Sequence, residues 1–113
     1  MTEISCGTDG AGFFIEASGH SGFAGAGRDI VCAGISALIF AEIDLTRKME
    51  SAGHIVKRTV IAHDGFLYLH VEPCVEKREL LRGAFAAARA GLRLLAEKYP
   101  ENVQMEETDG ESI

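Results

Sequence analysis

Apolar positions along the chain alternate in some stretches and recur at helical spacing in others. TEISCG, residues 2–7, is short and β-prone. FFIEAS, residues 13–18, alternates, with Phe13, Ile15 and Ala17 on one face and Phe14, Glu16 and Ser18 on the other. TDGAG between them supplies turn chemistry, which predicts a hairpin. The spacing then changes. IVCAGISALIFAEI is apolar nearly all round and DLTRKMES is polar on one side. Together they predict one long helix to about Ser51, with Asp29 as N-cap, Gly53 as the stop and the apolar half buried.

HIVKRTVIA, residues 54–62, reads as a strand, and FLYLHVE returns as another with Leu67, Leu69 and Val71 on one face. Asp64-Gly65 is a short-hairpin signal between them. Residues 76–100 carry Leu80, Leu81, Ala84, Phe85, Ala88, Leu92 and Leu95 at 3–4 spacing, and Pro100 ends this second helix. VQMEE adds a short final strand, and the polar TDGESI, residues 108–113, is expected to form a disordered tail. The order β-β-α-β-β-α-β predicts an α+β fold, a two-layer α/β sandwich with a mainly antiparallel sheet covered by two helices.

Composition narrows the function. A chain of 113 residues with 47% apolar and 25% charged residues suits one domain, residues 1–113, with its own core. The longest apolar stretch, Ile30 to Ile43, is too short to span a bilayer, and MTEISCGTDG lacks the basic and apolar parts of a signal peptide. A cytoplasmic protein without membrane contact is therefore expected. The net charge of −6, with no basic cluster beyond TRK and VKR, argues against nucleic-acid binding and suits a basic partner. The three cysteines are odd in number and form no CxxC pair, so neither a disulfide framework nor a metal site is expected. No cofactor is implied.

The chemistry concentrates in GHSGFAGAGRDIVCAG, residues 19–34. Gly19, Gly22, Gly25 and Gly27, with Ser21 among them, predict a flexible loop from Gly19 to about Arg28. With Asp29 as N-cap, Cys32 is the third helical residue, where free N–H groups and the helix dipole favour thiolate over thiol. His20 is placed to take the thiol proton. Ser36, four residues on, shares the face of Cys32 and can bond the sulfur or a substrate. Backbone N–H groups around Cys32 can form an oxyanion hole. Asp29 either orients His20 or only caps the helix. Each residue also has a plain structural reading: a core thiol, a turn histidine, a serine bonding its own helix and a cap. The glycines fit no phosphate loop, because GxxxxGK[ST] and GxGxxG are both absent. Cys6, expected in a strand at the edge of the chain, and Cys74 read as free thiols. His54, His63 and His70 are scattered without HxxxH spacing.

SGHSGFAGAGRDIVCAGISAL closely resembles the signature of the ribosomal-processing cysteine protease family, Prp: a Gly-His-x-Gly element, a variable loop, Asp-Ile-Val-Cys-Ala and Ser-Ala-Leu. The likeness runs over nearly the whole chain, to LAEKYPENVQM. It implies a cysteine endopeptidase, a cytoplasmic homodimer. Its substrate would be the N-terminal extension of a large-subunit ribosomal protein, the twenty-seventh by name. It also implies His20 and Cys32 as the catalytic pair, Asp29 and Ser36 in support, and a loop that orders when the peptide binds. The Gly-Ala-Gly at 25–27 and Gly34 depart from the expected pattern without touching the pair. A non-catalytic ribosome-associated peptide-binding module and a thiol redox enzyme remain the competing readings.

Overall fold

The computed structural model describes residues 1–25 and 28–110. Five strands and two helices follow in the expected order: β1 (Thr2–Thr8), β2 (Phe13–Ser18), α1 (Ile30–Ser51), β3 (Ile55–His63), β4 (Phe66–Pro73), α2 (Arg78–Lys98) and β5 (Val103–Asp109). One sheet holds all five strands in the order β3-β4-β2-β1-β5. Its pairs are antiparallel except β1 with β5, which run parallel from Thr2↔Val103 to Thr8↔Asp109.

Alternation assigns one sheet face to the core. Ile4, Cys6, Phe13, Ile15, Ala17, Leu69, Val71 and Val103 are buried there. Val31, Ile35 and Ile39 of α1 and Leu81, Phe85, Ala88 and Leu92 of α2 complete the cluster. Small residues let the helices close on each other. A Cβ on Gly91 would sit 2.8 Å from Leu38, and one on Gly34 would sit 3.3 Å from Leu95.

Some expectations change. The first half of α1 is not buried all round: Ile30 is 60% and Phe40 47% exposed. A helix resting on a single sheet can bury only the stripe that faces it. Leu80, 57% exposed, falls outside the stripe of α2 for the same reason. Residues Val75–Lys77 form a separate 3₁₀ turn before α2. Thr108 and Asp109 are not frayed but extend β5, because Arg89 holds Asp109 through two bonds of 2.9 and 3.0 Å. The tail residues 111–113 lie outside the described residues. Cys6 lies on an inner strand, not an edge, and burial pushes its thiol up to about 11.

Glu42 is the unusual core residue. It is 7% exposed, Oε1 has no hydrogen-bond partner among the described residues, and burial pushes its carboxyl up to about 7 from an ordinary 4.5. Between those two values the folded chain holds a proton that the unfolded chain has lost. Stability therefore falls as pH rises through that window, and the whole penalty is present above it. Glu42→Gln is expected to stabilise the protein by about 2 kcal/mol at pH 8 and hardly at all at pH 4, as read from urea unfolding midpoints. An equal gain at both pH values would refute this.

Candidate active site

Three segments far apart in sequence fix the loop that leaves β2. Gly19 adopts φ +90°, and a Cβ there would meet the Met1 carbonyl at 2.5 Å, so only glycine fits. Its N–H donates to the Gly65 carbonyl in the β3–β4 turn, at 2.8 Å. The His20 carbonyl accepts from the Met1 nitrogen, and the Ser21 carbonyl accepts from Asn102 Nδ2 at 3.0 Å. Phe23 packs edge-on against Tyr99, with ring centroids 5.3 Å apart.

Asp29 is the N-cap of α1. Its Oδ1 accepts from the N–H groups of Val31 and Cys32 at 3.0 and 2.9 Å. Its Oδ2 accepts from the Ser21 hydroxyl and from the Phe23 N–H at 3.2 Å. Burial would raise the Asp29 carboxyl, but the Ser21 hydroxyl and surrounding amides outweigh it and hold the group down to about 2. The cap thus stays charged until the pH falls to that region. Asp29→Ala is expected to cost about 1–2 kcal/mol of stability at pH 7. Asp29→Asn, which keeps an acceptor oxygen for the helix amides, should cost less. Thermal unfolding of both variants checks the order, and an equal cost would remove the capping argument.

Ser21 is 1% exposed and lies against the thiol. Its N–H donates to Cys32 Sγ at 3.3 Å, and the thiol lies 3.4 Å from its hydroxyl oxygen, which is placed to accept. The donor reaching the sulfur thus comes from the loop. The Cys32 amide, a candidate for the oxyanion hole, is taken by Asp29 in this arrangement.

His20 and Cys32 line one cleft of about 360 Å³ together with Ile35, Ser36, Phe40 and Phe66. The wall is mostly apolar, which is why Phe40 is left uncovered by the core. Asp29 borders an adjoining hollow that shares His20, Cys32 and Ser36. Among the described residues, no hydrogen bond joins the His20 ring to Cys32. The ring rests instead on the β3–β4 turn, with Nε2 3.8 Å from Asp64 Oδ1. Gly22 and Gly25 lie in the loop, and the Arg28 N–H donates to the Gly25 carbonyl at 3.0 Å. Gly27, also assigned to the loop, lies outside the described residues.

The sequence did not single out Ser21 as a neighbour of the sulfur, Asp64 as a neighbour of the imidazole, or Asn102 and Tyr99 as anchors. Asp-Gly in the turn was a signal for Asp64, but only as hairpin chemistry. Nothing local points from Asn102 to a serine 81 positions earlier. Of the other histidines, His63 lines the cleft, whereas His70 pairs with Asp9 at 2.9 Å. Among the described residues, no group of three or more His, Cys, Asp or Glu gathers to hold a metal ion, and no helix is long and apolar enough to cross a membrane.

A thiol in the first turn of a helix, sharing an open cleft with an imidazole, is chemically able to do the work of a cysteine-dependent hydrolase. The model of the family described as Cysteine protease Prp matches residues 1–104, and the chain belongs to that family of cysteine proteases. Among solved structures, the ribosomal processing protease Prp of S. aureus with a covalently linked product peptide aligns with a TM-score of 0.76 at 20% identity. That alignment covers 96% of this chain and 100% of the other. The S. aureus protease with a substrate peptide aligns at 0.69 and 17% identity, over the same shares of the two chains, 96% and 100%. SMU.848 from Streptococcus mutans aligns at 0.68 and 25%, covering 96% of this chain and 95% of that one. Among curated proteins, no sequence matches.

Proposed function

We propose that this protease removes the N-terminal extension of a large-subunit ribosomal protein, the twenty-seventh by name, with Cys32 as nucleophile and His20 as acid–base. The observation that carries the reading is the shared cleft: a helix-terminal thiol and an imidazole open onto one mostly apolar groove. In the S. aureus relative a product peptide is covalently linked to the protein.

The chemistry follows from the groups present. The Cys32 thiol gives its proton to His20, and the sulfur forms a bond to the scissile carbonyl carbon. The tetrahedral intermediate collapses, the C–N bond breaks, and His20 returns the proton to the departing amine. Water, deprotonated by His20, then attacks the thioester and releases the acid and the free thiol. The N–H of Ser21, which points at the sulfur, is a ready donor to charge that develops there. Ser36 supports the sulfur or the bound peptide from the same helix face. Because His20 and Cys32 are not hydrogen-bonded as they stand, peptide binding is the step that brings them together, with the loop of Gly19, Ser21, Gly22, Gly25 and Gly27 as the gate. The net charge of −6 favours approach of a basic substrate.

The test is incubation with a synthetic peptide spanning the extension, followed by mass spectrometry. One new pair of fragments, at a single site, is expected. An intact peptide would remove this substrate, and cleavage at many scattered sites would remove the specificity. The reading includes a cytoplasmic homodimer; light scattering on the purified protein should give twice the chain mass.

A further inference from the structure

We infer that Asp64, in the β3–β4 turn, is the positioning residue of His20: its carboxylate takes the Nε2–H and leaves Nδ1 as the nitrogen that serves Cys32. The inference rests on the reading of His20 and Cys32 as the reacting pair.

The other acid in reach of the loop is already committed. Asp29 accepts from four donors, the amides of Val31, Cys32 and Phe23 and the hydroxyl of Ser21. A carboxylate has about four acceptor sites, so little capacity remains for an imidazole. Asp64 has the opposite character. Its side chain is 97% exposed, and the His20 imidazole is the ring that its carboxylate meets among the described residues. The separation of 3.8 Å from Oδ1 to Nε2 closes to a hydrogen bond with a small rotation of either side chain.

The backbone holds the ring at this place. On one side of His20, the Gly19 N–H is bound to the Gly65 carbonyl, in the same turn as Asp64. On the other side, the Ser21 N–H is bound to Cys32 Sγ. His20 is therefore strung between the turn and the thiol. Gly65 provides the floor: a Cβ built there would stand 3.4 Å from Nε2, in van der Waals contact with the ring, and its φ of +76° is what favours glycine in the turn. A turn that passes under the ring, with a carboxylate beside the ring nitrogen, is a seat for a histidine.

In the open cleft this pair is weak, because water screens it. A bound peptide covers the cleft, excludes water and strengthens the pair at the moment when the imidazole becomes imidazolium. The contribution is therefore expected in turnover and not in peptide affinity. Asp64 touches neither sulfur nor substrate in this scheme; it acts through His20.

The experiment uses full-length protein and a peptide that the wild type cleaves, with His20→Ala and Cys32→Ala run alongside. Asp64→Ala is expected to lower kcat about tenfold with KM within about twofold. Asp64→Glu should recover most of the loss. In parallel, nitrogen NMR of the ring-labelled histidines at pH 8, recorded with the peptide bound to Cys32→Ala, should show His20 with its proton on Nε2, and a tautomer mixture once Asp64→Ala is added to that variant. The inference requires both changes. It is overturned if kcat of Asp64→Ala stays within twofold of wild type, or if kcat falls while the ring signals do not move. Retained cleavage by His20→Ala or Cys32→Ala is a different result: it would overturn the reacting pair itself, and the Asp64 assignment with it.

Discussion

Cys32→Ala is expected to abolish peptide cleavage, with kcat down by about ten-thousandfold or more. The place of the sulfur sets this effect. It sits in the first turn of α1, lies beside the cleft, and receives the Ser21 N–H. Neither of the other two thiols can replace it. Cys6 is buried in the core and held protonated by burial, and the cleft lining does not include Cys74. Cys32→Ser keeps a hydroxyl at the same point but loses the polarisable thiolate, so it should fall nearly as far. His20→Ala should cost about a thousandfold, and the double variant should be no worse than Cys32→Ala, because the pair acts as one unit. Intact-mass spectrometry adds a direct readout: a peptide adduct on wild type during turnover and none on Cys32→Ala. Equal cleavage by wild type and Cys32→Ala would end the assignment.

Gly7→Ala should have the largest effect on stability. Gly7 lies on β1 between β2 and β5, opposite Thr108 in the parallel pairing. A Cβ there would stand 1.6 Å from the Thr108 carbonyl oxygen. The obstacle is backbone, not the end of a mobile side chain, so β5 must leave its register for the methyl group to fit. A loss of about 3 kcal/mol or more is expected from urea unfolding, with the Arg89–Asp109 bonds broken. Gly83→Ala is the control. It sits in α2 with nothing within 4 Å of the added carbon, and should stabilise by up to about 1 kcal/mol. If Gly7→Ala were as well tolerated as Gly83→Ala, the close approach of the two strands would be wrong.

Local signals revealed the elements. Alternation in FFIEAS, Asp29 ahead of an apolar run and Asp64-Gly65 between two strands each act within a few residues. They place β2, α1 and the β3–β4 hairpin close to where the structure has them. What escaped was set by partners distant in sequence. Thr108 and Asp109 read as the start of a polar tail until Arg89 of α2 is seen to hold Asp109, beside a Glu107 held by Arg89 and Arg93. Hydrogen bonds from Arg93 and Arg89 keep the Glu107 carboxyl down to about 2 despite burial. The same limit applies to the site. His20, Asp29, Cys32 and Ser36 were legible as candidates because they fall in one short stretch, and the cleft gathers all but Asp29, which borders the adjoining hollow. The division of labour between the two aspartates was not legible, because it depends on which donors reach Asp29 and how the hairpin turn folds back against His20.

The tether from Asn102 to the Ser21 carbonyl has a consequence for how the enzyme matures. During synthesis, His20 and Cys32 emerge some seventy or more residues before Asn102, which anchors the loop between them. A nascent chain that stops short of Asn102 carries both side chains without that anchor. The order of emergence thus acts as a delay: the loop is anchored only after the chain has passed Asn102 and β5 can join β1.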